Sequence, residues 1–268
     1  MLYGLSQINI ELNSTCDKGT LCNFCGHQNA AIHPTRRDGE MSKALLADLA
    51  ADLEPLGKTL IVQFHRDGDP LAASTLGWAL QVFSPNTRSL VTHGEGLARR
   101  AHELIGHCEA VTISIFRGDP DRDKQVAALT EFLSQKGDHL PLVYLKIVGG
   151  MSDGDFEPYA RLGVPVLSRR LHLPTSNAKY AGGLPAMPEH GLCLDLLSHP
   201  SVAWDGRVYM CNRLDPGEQG VIGSLTTQTL DQIWNGSARQ GALAKHRRGH
   251  RTYVPLCSTC TYYGIPAI

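Results

Sequence analysis

Short apolar runs and amphipathic stretches take turns through the first two thirds of the chain. Gln7 to Asn13 alternates apolar and polar positions and predicts a first strand. Met41 to Leu53 places Leu45, Leu46, Leu49 and Leu53 at helical spacing, and Pro55 and Gly57 end that helix. The runs Thr59 to Phe64, Ser89 to Thr92, Val111 to Phe116, Leu142 to Val148 and Val164 to Leu167 read as five further strands. Between them, helices are expected through Trp78 and Phe83, from Leu97 to Ile105, through Val126, Leu129, Phe132 and Leu133, and around Phe156 to Leu162. Six nearly continuous apolar strands, most followed by a helix, predict a parallel sheet covered by helices, as a barrel or a doubly wound sheet. In either, the loops after the strand C-termini make the functional face.

From Pro174 the pattern changes. Gly182, Gly183, Pro185 and Pro188 suggest a linker. The expected organisation is a first domain over 1–173, a linker over 174–190 and a small domain over 191–268. In the last, Val202 to Trp204 and Arg207 to Met210 flank Asp205-Gly206, a hairpin signal, and helices follow near Leu230 to Trp234 and Gln240 to His246.

Composition narrows the function. The 268 residues are 42% hydrophobic and 19% charged with a formal net charge of −1, which gives no electrostatic footprint for a nucleic-acid or membrane partner. No apolar run approaches the ~18 residues of a membrane span, and the first residues lack a signal-peptide pattern. The protein is therefore expected to be cytoplasmic, where eight cysteines argue for metal rather than disulfides.

Seven of the cysteines form two groups. Cys16, Cys22 and Cys25 make a C-x5-C-x2-C array directly after the first strand. They supply three of the four ligands of a closed site, so either His27 or His33 completes a zinc centre or one position stays open for chemistry. Cys193, Cys211, Cys257 and Cys260 make a complete set of four, suited to an iron–sulfur cluster or a structural zinc. Cys108, before the fourth strand, reads as a plain small residue.

These motifs, taken in order, resemble the radical SAM superfamily over nearly the whole chain. Its cysteine loop follows the first barrel strand, with a first gap two residues shorter than here. Phe24 stands where the family places an aromatic residue beside the adenine of S-adenosylmethionine (SAM). Asp67-Gly68-Asp69-Pro70 resembles the "GGEP" segment that binds the methionine amino group, with Asp for Glu. Thr92-His93-Gly94 resembles "TNG", and the stretch through Ser114 resembles "iSlDG". Cys193, Gly206 and Cys211, the run from Gly220 to Asn235 and Cys257-x2-Cys260 resemble a SPASM/twitch extension, closest in cysteine layout to the 2-deoxy-scyllo-inosamine dehydrogenase group.

The resemblance implies an α/β fold: a partial (β/α)6 radical SAM barrel with a small C-terminal twitch domain of a β-hairpin plus helices. It implies two [4Fe–4S] clusters, one on Cys16, Cys22 and Cys25 with SAM in the vacant position, and one on Cys193, Cys211, Cys257 and Cys260. Phe24, Asp67, Gly68, Asp69, Thr92 and Ser114 would bind SAM. Asp67 and Asp69 read equally as turn formers around Gly68. Arg169 and Arg170 alternate faces at the end of the sixth strand, so one should point inward, toward SAM or a substrate hydroxyl. His65, His93 and Asp119 are candidate substrate contacts or proton acceptors. The implied reaction is hydrogen abstraction from a small molecule such as an aminocyclitol, then oxidation through the second cluster, with a flavodoxin- or ferredoxin-type reductant. A ribosomally made peptide is the alternative substrate, disfavoured by the fifteen residues before Cys16. A non-catalytic iron–sulfur or zinc protein is the alternative of another class.

Overall fold

The computed structural model describes residues 1–18, 37–149, 151–169, 192–213, 215, 217–258 and 260. The expectations placed on Cys22, Cys25, Phe24, His27, His33, Arg170 and the linker over 174–190 lie outside these residues.

Six strands, β1 (Gln7–Ile10), β2 (Ile61–Phe64), β3 (Thr87–Thr92), β4 (Ala110–Ile115), β5 (Leu142–Val148) and β6 (Val166–Arg169), pair in parallel in sequence order. Helices α1 (Lys43–Leu53), α2 (Leu76–Val82), α3 (Ala101–Leu104), α4 (Arg122–Lys136) and α5 (Asp153–Ala160) connect them. This is an open (β/α)6 partial barrel. Among the described strands, β6 lies at one edge of the sheet and does not pair with β1.

Local chemistry explains the element ends. Ser42 caps α1, its hydroxyl accepting from the Leu45 N–H at 3.2 Å, and Ser152 caps α5 through the Asp155 N–H at 3.3 Å. The helix expected over Leu97 to Ile105 shortens to the single turn of α3, preceded by turns. The strands are also less uniformly apolar than their sequence suggests. Val62, Phe64, Val111, Ile113 and Ile115 are fully buried under the helices. The alternate positions Gln63, Thr112, Ser114, Tyr144 and Lys146 remain partly accessible on the other face. The barrel interior is polar because only the outer face is covered by helices.

The C-terminal part continues this sheet. α6 (Leu194–Ser198) leads into β7 (Ser201–Val202), which pairs in parallel with β1, Asn9 opposite Ser201 and Ile10 opposite Val202. β8 (Arg207–Tyr209) and β9 (Val221–Ser224) follow antiparallel, so one nine-stranded sheet runs from β6 to β9. β9 has no counterpart among the expected strands, because Gly220 and Gly223 interrupt its apolar run. The second glycine is a packing device: a Cβ there would lie 2.7 Å from Ile233 of α7 (Leu230–Trp234). α8 (Ser237–Arg247) and α9 (Pro255–Ser258) complete the domain. No helix of the described residues is long and apolar enough to cross a membrane.

At the strand starts, away from the loop rim, Glu109 accepts from Arg88 Nε at 3.1 Å, Arg88 Nη2 at 2.9 Å, the Arg88 N–H at 2.7 Å and Lys58 Nζ at 2.9 Å. Cys108 beside it is buried, and burial pushes its thiol up to about 12. Burial also pushes the Glu109 carboxyl up, but the bonds from Arg88 and Lys58 outweigh it and hold the group at about 2. A carboxyl lowered in the folded state stabilises above its unfolded value, roughly 4.3, and that contribution fades as pH falls toward 2. Glu109→Gln is therefore expected to melt below the wild type at pH 7, with the gap narrowing at pH 3 in thermal unfolding. A gap independent of pH would refute the ion-pair account.

Candidate functional site

The loops after β1, β2 and β3 are tied together by one buried aspartate, through its carboxylate and its backbone N–H. Asp69 Oδ1 accepts from the Leu71 N–H at 2.9 Å, and Oδ2 accepts from the His93 N–H at 2.8 Å. The Thr92 hydroxyl lies 2.9 and 2.8 Å from the two oxygens and itself accepts from the Gly94 N–H at 2.9 Å. The Asp69 N–H donates to the Thr15 carbonyl at 2.9 Å, reaching the cysteine loop. Gly68 makes this approach possible. A Cβ there would stand 2.1 Å from the Asn13 carbonyl oxygen and 2.7 Å from that of Thr15. Asn13 stiffens the same turn by donating to the Thr15 carbonyl and hydroxyl, both at 2.9 Å.

Cys16 emerges beside this node. Its sulfur, an Asp69 oxygen and a His93 nitrogen all lie within 4.8 Å of one another. His93 Nε2 is 3.0 Å from Asp17 Oδ1, and Arg99 holds Asp17 Oδ2 at 3.0 Å. The His93 hydrogen bond, helped by its charge and by Arg99, outweighs burial and holds the Asp17 carboxyl at about 2. Burial pushes the His93 imidazole down, but Asp17, Cys16 and the Asp69 charge outweigh it and take it up to about 10.

The next residue repeats the theme. Lys18 is buried, its Nζ 3.0 Å from Glu95, 3.0 Å from Asp119 and 3.6 Å from Asp121, with the Phe116 ring 5.8 Å away. Burial lowers the ammonium's pKa, and the bonds to Asp119 and Glu95 raise it further than burial lowers it. Asp17 and Lys18 thus dock the start of the long Cys16–Cys22 interval onto the β3 and β4 loops. Asp119, a candidate proton acceptor, is held by Lys18 and by the Asp121 N–H at 3.0 Å.

Gln125 is the residue that sequence reasoning missed. Fully buried on α4, it donates to the His93 carbonyl and, at 3.0 Å, to the Ser114 carbonyl, and it accepts from the Tyr159 hydroxyl. A lone glutamine in a helical pattern carries no signal of such a role. His65 sits half-buried at the end of β2, its N–H bonded to Ile10 O at 3.1 Å. Arg169 ends β6 in register with Val148. Asp67 turns away from the Asp69 node and pairs with Arg66 at 2.6 Å.

Cys193, Cys211, Cys257 and Cys260 line a single cavity with Arg213 and Arg251, and none of them is in a disulfide. Burial pushes the thiols up, Cys193 to about 11, Cys257 to about 12 and Cys211 well above its usual range. Arg251 donates to the carbonyls of Cys257 at 3.1 Å and Cys260 at 2.8 Å and so shapes the C-x2-C turn. Four sulfurs around one enclosed space with two guanidiniums fit an anionic iron–sulfur cluster.

Removing the Asp69 carboxylate should strand three buried donors at about 1–3 kcal/mol for each unsatisfied group, whereas Asp67 has one side-chain partner. Asp69→Ala is expected to lower the urea midpoint clearly more than Asp67→Ala. Equal losses would show that Asp69 is not the node.

Known proteins resemble the chain in its C-terminal sequence and in its fold. Residues 193–261 match the SPASM family model, described as an iron–sulfur cluster-binding domain. No curated protein sequence matches the chain. Among solved structures, BtrN in complex with AdoMet and 2-DOIA superposes with a TM-score of 0.63 at 19% identity, covering 98% of this chain and 95% of BtrN. Streptococcus suis SuiB bound to S-adenosylmethionine gives 0.61 at 12% identity, over 96% of this chain and 72% of SuiB. SuiB bound to precursor peptide SuiA gives 0.62 at 12% identity, over 97% and 70%. This chain has the radical SAM fold, an open (β/α)6 partial barrel, and its sheet runs on into a C-terminal SPASM iron–sulfur cluster-binding domain.

Proposed function

We propose that the chain is a radical SAM oxidoreductase acting on a small hydroxylated molecule, with electrons supplied by a flavodoxin- or ferredoxin-type partner in a reducing compartment. The observation that carries this reading is that Cys193, Cys211, Cys257 and Cys260 share one cavity, in the part of the chain that β7 joins to the sheet whose first loop presents Cys16 beside Asp69, Thr92 and His93. Cys16, Cys22 and Cys25 would hold one [4Fe–4S] cluster, and Cys193, Cys211, Cys257 and Cys260 a second. When bound, these groups and SAM supply hydrogen-atom abstraction from an unactivated C–H bond and a one-electron acceptor, chemistry that side chains lack.

The chain's own residues orient and shield. The Asp69 node fixes the Cys16, Thr92 and His93 loops against one another, so SAM would meet a preformed pocket. Phe24, Ser114 and the backbone around Gly68 remain the proposed SAM contacts, with Arg169 or Arg170 toward its ribose or carboxylate. Oxidation of a substrate radical also releases a proton. His65, His93 and Asp119 remain the proposed proton acceptors, with His93 bonded to Asp17 and Asp119 to Lys18. Fold likeness extends equally to BtrN and to peptide-bound SuiB, so it does not choose the substrate. A compact cavity between the barrel rim and the C-terminal hairpin supports the small molecule.

Anaerobic reconstitution should give about eight irons per chain, two clusters of four. Dithionite and SAM should then yield 5′-deoxyadenosine, and its absence would sink the radical SAM reading. The double variant Cys193→Ala/Cys211→Ala should still form 5′-deoxyadenosine but stall before oxidised product. Normal turnover by that variant would remove the second cluster from the reaction.

A further inference from the structure

The basic run from Lys245 to Arg251 closes α8 and the turn after it, and the reaction proposed above leaves its charge unused. From Gln232 to Ile268 the sequence holds no Asp or Glu, while Arg239, Lys245, Arg247, Arg248 and Arg251 are cationic. In a chain of formal net charge −1, that is a strong local concentration of one sign.

The run has two faces. His246 and Arg251 are buried and line the four-cysteine cavity. Lys245, Arg247, Arg248 and His250 are exposed, as is Tyr253, whose ring meets that of His250 edge-on at 5.4 Å. Among the described residues no carboxylate pairs with Lys245, Arg247 or Arg248, and Lys245 Nζ donates to the Tyr253 carbonyl at 3.0 Å. The surplus charge is felt inside the fold. Arg239, buried near the start of α8, donates to the carbonyls of Trp234 and Leu197, and burial together with the Arg247 charge lowers its guanidinium to about 10.

A partner seated on the outer face would be separated from the cavity by this one segment. Electron transfer weakens steeply with distance, so such closeness suits a redox partner. Complexes between redox proteins bury little surface and are steered together by opposite charge. A face of cations without carboxylate partners around an exposed aromatic ring fits an acidic protein of that kind. A polynucleotide would have no use for a cluster cavity directly beneath the charges.

We propose that this face docks an acidic one-electron carrier protein, and that the second cluster is the port through which the two exchange. The port rests on the four-cysteine cluster proposed above; the docking surface does not. The cluster loses the one electron taken from the substrate radical and the carrier's centre gains it, with no bond made or broken.

The probe is an oxidised plant-type [2Fe–2S] ferredoxin, titrated calorimetrically into the anaerobically reconstituted chain. Binding should weaken at least about ten-fold between roughly 0.01 and 0.15 M salt, as the Debye length shortens from about 30 to 8 Å. At low salt, Arg247→Glu/Arg248→Glu should weaken it by at least about ten-fold. Lys43→Glu/Arg161→Glu, the same charge change at exposed sites of the barrel, should cost clearly less. Lys245 is the sole lysine after Lys179, so a carbodiimide cross-link from it to a ferredoxin carboxylate locates the face. The salt series and the cross-link use the wild type and stand even if the variants do not fold; iron content and circular dichroism are the folding controls. The reduced, dithionite-free chain should pass electrons to oxidised ferredoxin, and Cys193→Ala/Cys211→Ala should dock alike but transfer far more slowly. Absence of binding, binding insensitive to salt, cross-links confined to barrel lysines, or equal losses in the two charge variants overturns the docking surface. So does an RNA oligonucleotide that binds as tightly as ferredoxin at roughly 0.15 M salt. About eight irons without docking refutes the surface and leaves the second cluster standing. Docking with about four irons, or transfer unchanged in Cys193→Ala/Cys211→Ala, refutes the port.

Discussion

Three loops that are distant in sequence meet at Asp69, and the rest of the rim depends on that meeting. Its oxygens take donors from its own turn and from the β3 loop, while its N–H reaches the Thr15 carbonyl in the β1 loop. Each donor is buried, so breaking any one bond leaves a polar group without water to replace the partner. Gly68 is the steric condition for the arrangement, since no side chain fits where the β2 turn crosses the β1 loop. The node holds Cys16 in a fixed place relative to β2 and β3 before any cofactor arrives.

Around the node, charge does the aligning. Asp17 and Lys18 are successive residues that engage opposite partners, a histidine and arginine from the β3 side and a carboxylate cluster from the β3 and β4 loops. Adjacent side chains pulling in different directions fix both the path and the rotation of the backbone leaving Cys16. The longer interval to Cys22 therefore begins from a rigid start. Gln125 adds a neutral brace, connecting the β3 loop, β4 and α5 through amide hydrogen bonds that a buried glutamine can satisfy in both senses.

The pairing of β7 with β1 has the widest consequence. Through Asn9–Ser201 and Ile10–Val202 the hairpin becomes part of the barrel sheet. Trp204 then sits against Gly39, where a Cβ would lie 2.3 Å from its ring, and the Trp204 N–H donates to Glu11 at 3.1 Å. A sheet transmits position rigidly along its hydrogen bonds, so the four-cysteine cavity and the Cys16 loop keep a set relation. The polar cavity with Arg66 and Asp215 lies along that seam.

The sequence by itself determined the alternation of strand and helix, the parallel character of the sheet and the two cysteine groups, because apolar periodicity and thiol spacing are local properties of the chain. Asp67-Gly68-Asp69-Pro70 and Thr92-His93-Gly94 were legible as strand-end turns for the same reason. Only the tertiary structure separated Asp69, the buried tie, from Asp67, the partner of Arg66, since two carboxylates around one glycine look alike until burial distinguishes them. It alone gave Gln125 its role, paired Lys18 with three acidic residues from other loops, and joined β7 to β1 across nearly two hundred positions. Those are contacts between segments, and no local pattern records which segments will meet.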